Sequence, residues 1–188
     1  ESDGEKVASY IPDDEQGQYT AVRALLAEGY RRPLCLHLPE GHLATTRRRQ
    51  GLERACREAG LDPDSLEHCY MALGDEHYRD IPAVLLAHMQ NGIPRFDAVI
   101  CGNDRIAFMV YQTLLGQGLR IPDDVAVIGY DNMVGIGELF LPPLTTVQLP
   151  HYEIGRLSAL HIINGEEHQE TTRVESPFLL RDSVAQAT

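Results

Sequence analysis

The sequence predicts an α/β fold, a doubly wound parallel sheet flanked by helices, and three observations carry that prediction. Apolar runs bounded by turn residues alternate with stretches of helical periodicity along the chain. The runs are apolar along much of their length, as in Phe96-Asp97-Ala98-Val99-Ile100-Cys101, which is the pattern of strands covered on both faces. Glycines (Gly29, Gly60 and Gly116) stand where helices should stop.

Taken in order, 6–11 reads as a short strand and 16–28 as a helix with Val22, Leu25 and Leu26 on one side. A strand at 33–38 leads to an arginine-rich amphipathic helix at 45–59. A strand at 67–73 is followed by a helix at 81–90 that Asn91-Gly92 should stop. The strand at 96–101 leads to a helix at 104–115, and a strand at 124–128 runs into Gly129-Tyr130-Asp131-Asn132. After Pro142-Pro143 come a strand at 144–149, a helix at 151–163 and a final strand at 172–180. The first strand and the last helix have no sheet of their own to cover, which points to a missing lobe.

Composition narrows the partners. With 188 residues, 43% of them hydrophobic, the chain can bury one good core or one core plus a fragment of a second. Its net charge is −12, Lys6 is the only lysine, and the densest basic run is Arg47-Arg48-Arg49, read as a solvated helix face. Such a chain lacks the clustered cations that hold DNA or an anionic membrane. No apolar run approaches a bilayer span, and the acidic start from Glu1 to Glu5 is not a signal peptide. Cys35, Cys56, Cys69 and Cys101 show neither CxxC nor Cys/His zinc spacing, so free thiols in a reducing cytoplasm are expected, with no metal and no cofactor.

Ligands of open parallel sheets bind beyond the carboxyl ends of the strands. That rule selects the loops at 39–42, 74–77, 102–105 and 129–132, which carry carboxylate, amide, imidazole and guanidinium groups. A polyhydroxy ligand needs such planar donors and acceptors, since each unpaired buried hydroxyl costs roughly 1–3 kcal/mol. Asp131 and Asn103 are the leading candidates, although a turn or helix-cap role suits both types. Arg48, His42 and His77 follow, whereas His37 lies inside a strand pattern and reads as structural. The phosphate loop, HExxH, GxSxG and GxGxxG signatures of enzymes are missing, and Glu40 with Asp75 is too weak a carboxylate pair to indicate catalysis.

The segment Phe96-Asp97-Ala98-Val99-Ile100-Cys101-Gly102-Asn103-Asp104-Arg105-Ile106-Ala107 resembles the strand ending in Asn-Asp of LacI/GalR-type transcriptional repressors. Gly118-Leu119-Arg120-Ile121-Pro122-Asp123-Asp124-Val125-Ala126-Val127-Ile128-Gly129-Tyr130-Asp131-Asn132 is a closer match. Pro142-Pro143-Leu144-Thr145-Thr146-Val147, followed by Tyr152-Glu153-Ile154-Gly155, completes the resemblance, which runs from about Ser9 to Asp182. It implies a periplasmic-binding-protein-like (type I) fold: a C-terminal lobe at 13–146, an N-terminal-lobe or crossover remnant at 1–12, and a crossover helix with the final strand at 147–188. Residue by residue, the resemblance places the effector-binding aspartate at Asp131, a contact at Asn103, the Arg-x-x-Gly arginine at Arg48 and a loop contact at His42. Gly74 to Ile81 is shorter than the family pattern, and its contact falls on His77 or Tyr78.

The resemblance further implies a homodimer, a sugar-type small-molecule effector, and operator DNA bound only through a headpiece that this stretch lacks. The sequence supports the dimer independently. Phe108, Met109, Tyr111 and Leu115 spread apolar surface beyond the stripe of Ile106, Val110 and Leu114, and Leu139-Phe140 adds an apolar loop. The expectation is therefore a non-catalytic sensor module of a cytoplasmic repressor. A solute-binding protein of a sugar transporter is the alternative.

Overall fold

The computed structural model of the protein describes residues 8–133, 136–166 and 170–185. The described chain runs β1 (Ser9–Pro12), α1 (Asp14–Ala27), β2 (Pro33–His37), α2 (Leu43–Glu58), β3 (Glu67–Tyr70), α3 (Ile81–Ala87), β4 (Met89–Gln90), β5 (Ile93–Pro94), β6 (Ala98–Cys101) and α4 (Asp104–Gly116). It continues through β7 (Ala126–Ile128), β8 (Thr146–Val147), α5 (His151–Asn164), β9 (Thr171–Val174) and β10 (Phe178–Leu179).

Four parallel strands in the order β3-β2-β6-β7 form the central sheet. Alternate residues of these apolar strands feed two separate cores. Leu34, Leu36, Val99, Cys101 and Val127 face α3 and α4, meeting Leu85, Ile106, Val110 and Leu114. Cys35, Ala98, Ile100, Ala126 and Ile128 face α1 and α2, meeting Val22, Leu25, Leu52 and Cys56. The fold class is the one the sequence predicts, and all four cysteines are free. Asp13 caps α1 through a hydrogen bond from the Gln16 amide, and Asn103 caps α4 through one from Ile106.

Beyond β7, Thr145 bridges Ile128 and Gln148 bridges Asp131 in parallel register, while β8 pairs antiparallel with β10. β1 and β9 pair in parallel away from the central sheet, and α5 packs beside β1 without burying one of its residues.

Several expected elements differ. The helix at 81–90 ends at Ala87, and Asn91-Gly92 turns a hairpin between β4 and β5, both residues adopting positive φ (52° and 76°). The strand at 172–180 is two strands: Pro177, which has no amide hydrogen to donate, stands between β9 and β10, which belong to different sheets. The strand at 6–11 begins outside the described residues, and within them it spans Ser9–Pro12. Among the described residues no helix is long and apolar enough to cross a membrane.

Candidate functional site

Chain order and spatial order of the central strands part between β2 and β6. From β2, α2 leads outward to β3; from β6, α4 leads the other way to β7. Loops leaving two such strands diverge and open a crevice at their carboxyl ends. Gly102 sits at the base of that opening, its amide donating to Leu36 at 2.7 Å, and a Cβ there would stand 2.8 Å from the Leu38 nitrogen.

Arg48 forms the floor. Its Nε donates to Asp14 Oδ1 at 2.9 Å and its Nη1 to the Gly102 carbonyl at 2.7 Å, while the guanidinium carbon lies 3.7 Å from the centre of the Tyr130 ring. The Arg48 and Asp14 side chains are only 10% and 8% exposed. One cation thus ties α2, the start of α1 and the loops after β6 and β7. This arginine is not part of the solvated face expected for its run.

Asn103 occupies the next position around the crevice. Its Oδ1 accepts the Ile106 amide at 2.9 Å and its Nδ2 donates to the Tyr78 hydroxyl at 2.6 Å. A short 3-10 turn at Asp75–Asp80 carries Tyr78 there. In the same turn His77 pairs through Nδ1 with Asp80 at 2.8 Å, so Tyr78 is the residue of the two that reaches Asn103. His42 is exposed at the start of α2, and its side chain caps nothing.

Asp131 has φ = +118°, which costs a non-glycine residue backbone energy and persists only where the surroundings enforce it. Its amide donates to Val147 at 2.7 Å and its carbonyl accepts from Leu149 at 3.2 Å. The carboxylate is left about one-third exposed, 3.8 Å from His151 Nε2. Beneath it, the buried Asp104 accepts from Thr146 Oγ1 at 2.7 Å and from the Met133 amide at 3.2 Å. Burial pushes the Asp104 carboxyl up to about 6, held back by those two donors, with the Asp131 charge adding to the rise. Arg181 braces the same loop, donating to the Leu144 carbonyl at 2.8 Å and to Asn132 Oδ1 at 3.2 Å.

Asp104, Thr146 and Arg181 escaped the reading of the sequence, whereas Tyr78 stood there as the alternative to His77. Asp104 carried a faint signal as the acid opening a helix. Nothing marked the other two, because their partners lie 42 and 49 positions away.

The apolar face expected of α4 divides in two. Phe108 and Leu115 are about half exposed, and Leu139 and Leu141 are 80% and 83% exposed. Tyr111 and Phe140 instead pack within the chain, their rings edge-to-face at 4.8 Å, with the Tyr111 hydroxyl donating to the Pro142 carbonyl at 3.0 Å. Met109 is half-buried against the same core. The reason is position: Tyr111 follows Val110 on the sheet-facing side, where the 141–144 turn closes over it.

A parallel sheet with helices on both faces, and a polar crevice at the strand ends where the connections part, defines a small-molecule-binding lobe of the periplasmic-binding-protein kind. The chain belongs to the family described as periplasmic binding proteins and sugar binding domain of LacI family, which it matches over residues 1–182. It is 56% identical over 183 residues to the sucrose operon repressor of Escherichia coli, covering 97% of this chain and 55% of that one. The HTH-type transcriptional repressor PurR of Vibrio vulnificus is 34% identical over 182 residues, covering 93% and 52%. The crystal structure of a LacI family transcriptional regulator from Enterococcus faecium with bound ribose superposes with a TM-score of 0.82 at 29% identity, covering 100% of this chain and 69% of that one. The chain spans about half the length of the curated relatives it matches. These relatives are repressors, not enzymes.

Proposed function

We propose that this chain is the effector-binding and dimerisation module of a bacterial sugar-responsive transcriptional repressor, acting in the cytoplasm. The carrying observation is the convergence of Arg48, Asn103 and Asp131 on the carboxyl ends of three neighbouring strands, with Asp131 held at positive φ and its carboxylate accessible. A carboxylate so placed accepts from two vicinal hydroxyls. Asn103 offers its second amide hydrogen, and Arg48 offers the N–H groups not directed at Asp14 and Gly102. His42 and His77 reach the ligand from the rims.

The 56% identity to a sucrose operon repressor supports sucrose, or one of its constituent hexoses, as the effector, and favours the regulator over the transport alternative. The C-terminal lobe comprises 13–146, 1–12 are a remnant of the N-terminal lobe or crossover, and 147–188 hold the crossover helix and the final strand. An effector gripped between lobes binds their closed arrangement more tightly, and that differential affinity repositions DNA-binding headpieces elsewhere in the full-length repressor. The exposed apolar patch of Phe108, Leu115 and Leu139 joins two copies; no membrane is involved.

The test is a thermal-shift comparison of the full-length protein with sucrose, fructose and glucose, wild type against Asp131→Ala. Sugar at about 100 times its dissociation constant adds about 2.7 kcal/mol, a rise of roughly 5–10 °C for a domain of this size. The rise should vanish in the variant. An equal rise in both proteins would remove Asp131 from the site, and no rise with any of the sugars would remove the sucrose assignment.

A further inference from the structure

Beside the crevice, on the sheet face covered by α2, three potential metal ligands meet. Cys35 and His37 stand two residues apart on β2 and therefore share that face, and the parallel register sets His68 of β3 opposite Cys35. One ligand atom from each lies within 4.8 Å of the others. His37 Nε2 and His68 Nδ1 are 2.8 Å apart in nearly parallel rings, their planes 10° apart. Cys35 and His37 are buried and His68 is half-buried.

One of the two imidazoles is already set in the tautomer that a cation needs. His68 Nε2 lies 3.0 Å from the Pro63 carbonyl, which can only accept, so that nitrogen carries the hydrogen and Nδ1 presents its lone pair toward the group. A backbone carbonyl fixing the far nitrogen in this way is the usual outer support of a ligating imidazole. His37 Nε2 faces that lone pair at 2.8 Å, so the two imidazole nitrogens and the Cys35 sulfur converge on one point. The positive charge facing the group is Arg49 of α2. It is paired with Glu53 at 2.8 Å and bonded to the Tyr70 hydroxyl, so it does not stand against the group as an unbalanced cation.

We propose that Cys35, His37 and His68 form a binding site for a divalent cation of the zinc class, with water in the fourth position. One thiolate and two imidazoles suit zinc or cobalt and not magnesium or calcium. Binding moves the His37 hydrogen from Nε2 to Nδ1 and displaces the Cys35 thiol proton to solvent, so one proton leaves for each ion taken up. The His37–His68 nitrogen separation opens to about 3.3 Å, the tetrahedral spacing for metal–nitrogen bonds near 2.0 Å. The ion would clamp β2 to β3. Because His37 also lines the small pocket beside Arg48 and Gly102, it would stiffen one wall of the crevice. Sequence spacing alone pointed the other way, since no local pattern joins residues 35, 37 and 68.

Cobalt titration of the chelator-stripped full-length protein tests this. Wild type should develop a thiolate-to-cobalt charge-transfer band in the near ultraviolet and intense visible bands of four-coordinate cobalt, saturating at a single equivalent, with zinc reversing both. Cys35→Ser should lose the charge-transfer band. His68→Gln, at a half-buried position that tolerates the change and can still donate to Pro63, should bind at least about tenfold more weakly. It should also lose the zinc-induced rise in melting temperature. Circular dichroism of the metal-free variants confirms that each is folded. A wild type that shows no charge-transfer band at saturating cobalt overturns the proposal, as does His68→Gln with unchanged affinity.

Discussion

Removing the Asp14 carboxylate tests whether the crevice floor is held as its geometry indicates. Asp14 and Arg48 meet at 2.9 Å with 8% and 10% of their side chains exposed, so solvent screens the pair weakly. At about 4 Å between charge centres and an effective dielectric near 20, their attraction is about 4 kcal/mol. Deleting one partner of a buried pair costs about 3–5 kcal/mol, because the remaining charge is left uncompensated. Arg48 keeps its bond to Gly102 and its place over the Tyr130 ring, so the expected cost of Asp14→Ala lies at the lower end, about 3 kcal/mol. For a domain of this size that lowers the melting temperature by roughly 6–12 °C. Urea unfolding of the full-length protein measures it, read at two salt concentrations because a buried pair should respond little to salt. The double variant Asp14→Leu, Arg48→Met should recover most of the stability, since apolar replacement of both charges removes the uncompensated one. A loss below about 1 kcal/mol in Asp14→Ala would refute the reasoning and place the pair among solvent-screened surface contacts.

Three further outcomes follow from particular contacts. In Gly51→Ala the new methyl group would collide with the Glu15 carbonyl of α1, so the two helices must part; the expected cost is at least about 2 kcal/mol, and thermal unfolding within 0.5 kcal/mol of wild type would contradict the close crossing. Asp104 has a folded-state carboxyl raised to about 6 against about 4 when unfolded. The folded state therefore holds the extra proton in that window, and about 3 kcal/mol of stability present at pH 4 is lost as pH rises through 6. Unfolding measured against pH should show this loss in wild type but not in Asp104→Asn, and parallel profiles would reject it. Leu139→Glu, at a position 80% exposed in the isolated chain, should leave the fold intact but weaken self-association in sedimentation; an unaltered dimer would move the interface elsewhere.

The sequence by itself determined the class of fold. A strand covered on both faces must be apolar at nearly every position, and Ala98–Cys101 and Ala126–Ile128 announce that without knowledge of their neighbours. Caps and stops are likewise local, so Asn103 before α4 and the glycines after α1 and α2 were legible. The loops that reach the crevice followed from the same reading, because strand direction alone puts them at one end.

Tertiary structure decided what each of those residues does there. The sequence could list Arg47, Arg48 and Arg49, but only the packing of α1 across α2 buries the middle one against Asp14 and sends Arg49 to Tyr70 and Glu53. Tyr78 reached Asn103, and Tyr111 withdrew into the core, for the same reason. Asn91-Gly92, expected to stop a helix at residue 90, instead turns a hairpin because the chain on either side could pair, and the helix ends earlier at Ala87. The group of Cys35, His37 and His68 depends on the register between β2 and β3, which is fixed by which side chains the two cores accept and not by any spacing along the chain. Periodicity and capping act within a few residues and can be read one segment at a time. Strand order, register and charge pairing join residues tens of positions apart, and they exist only once the chain has packed.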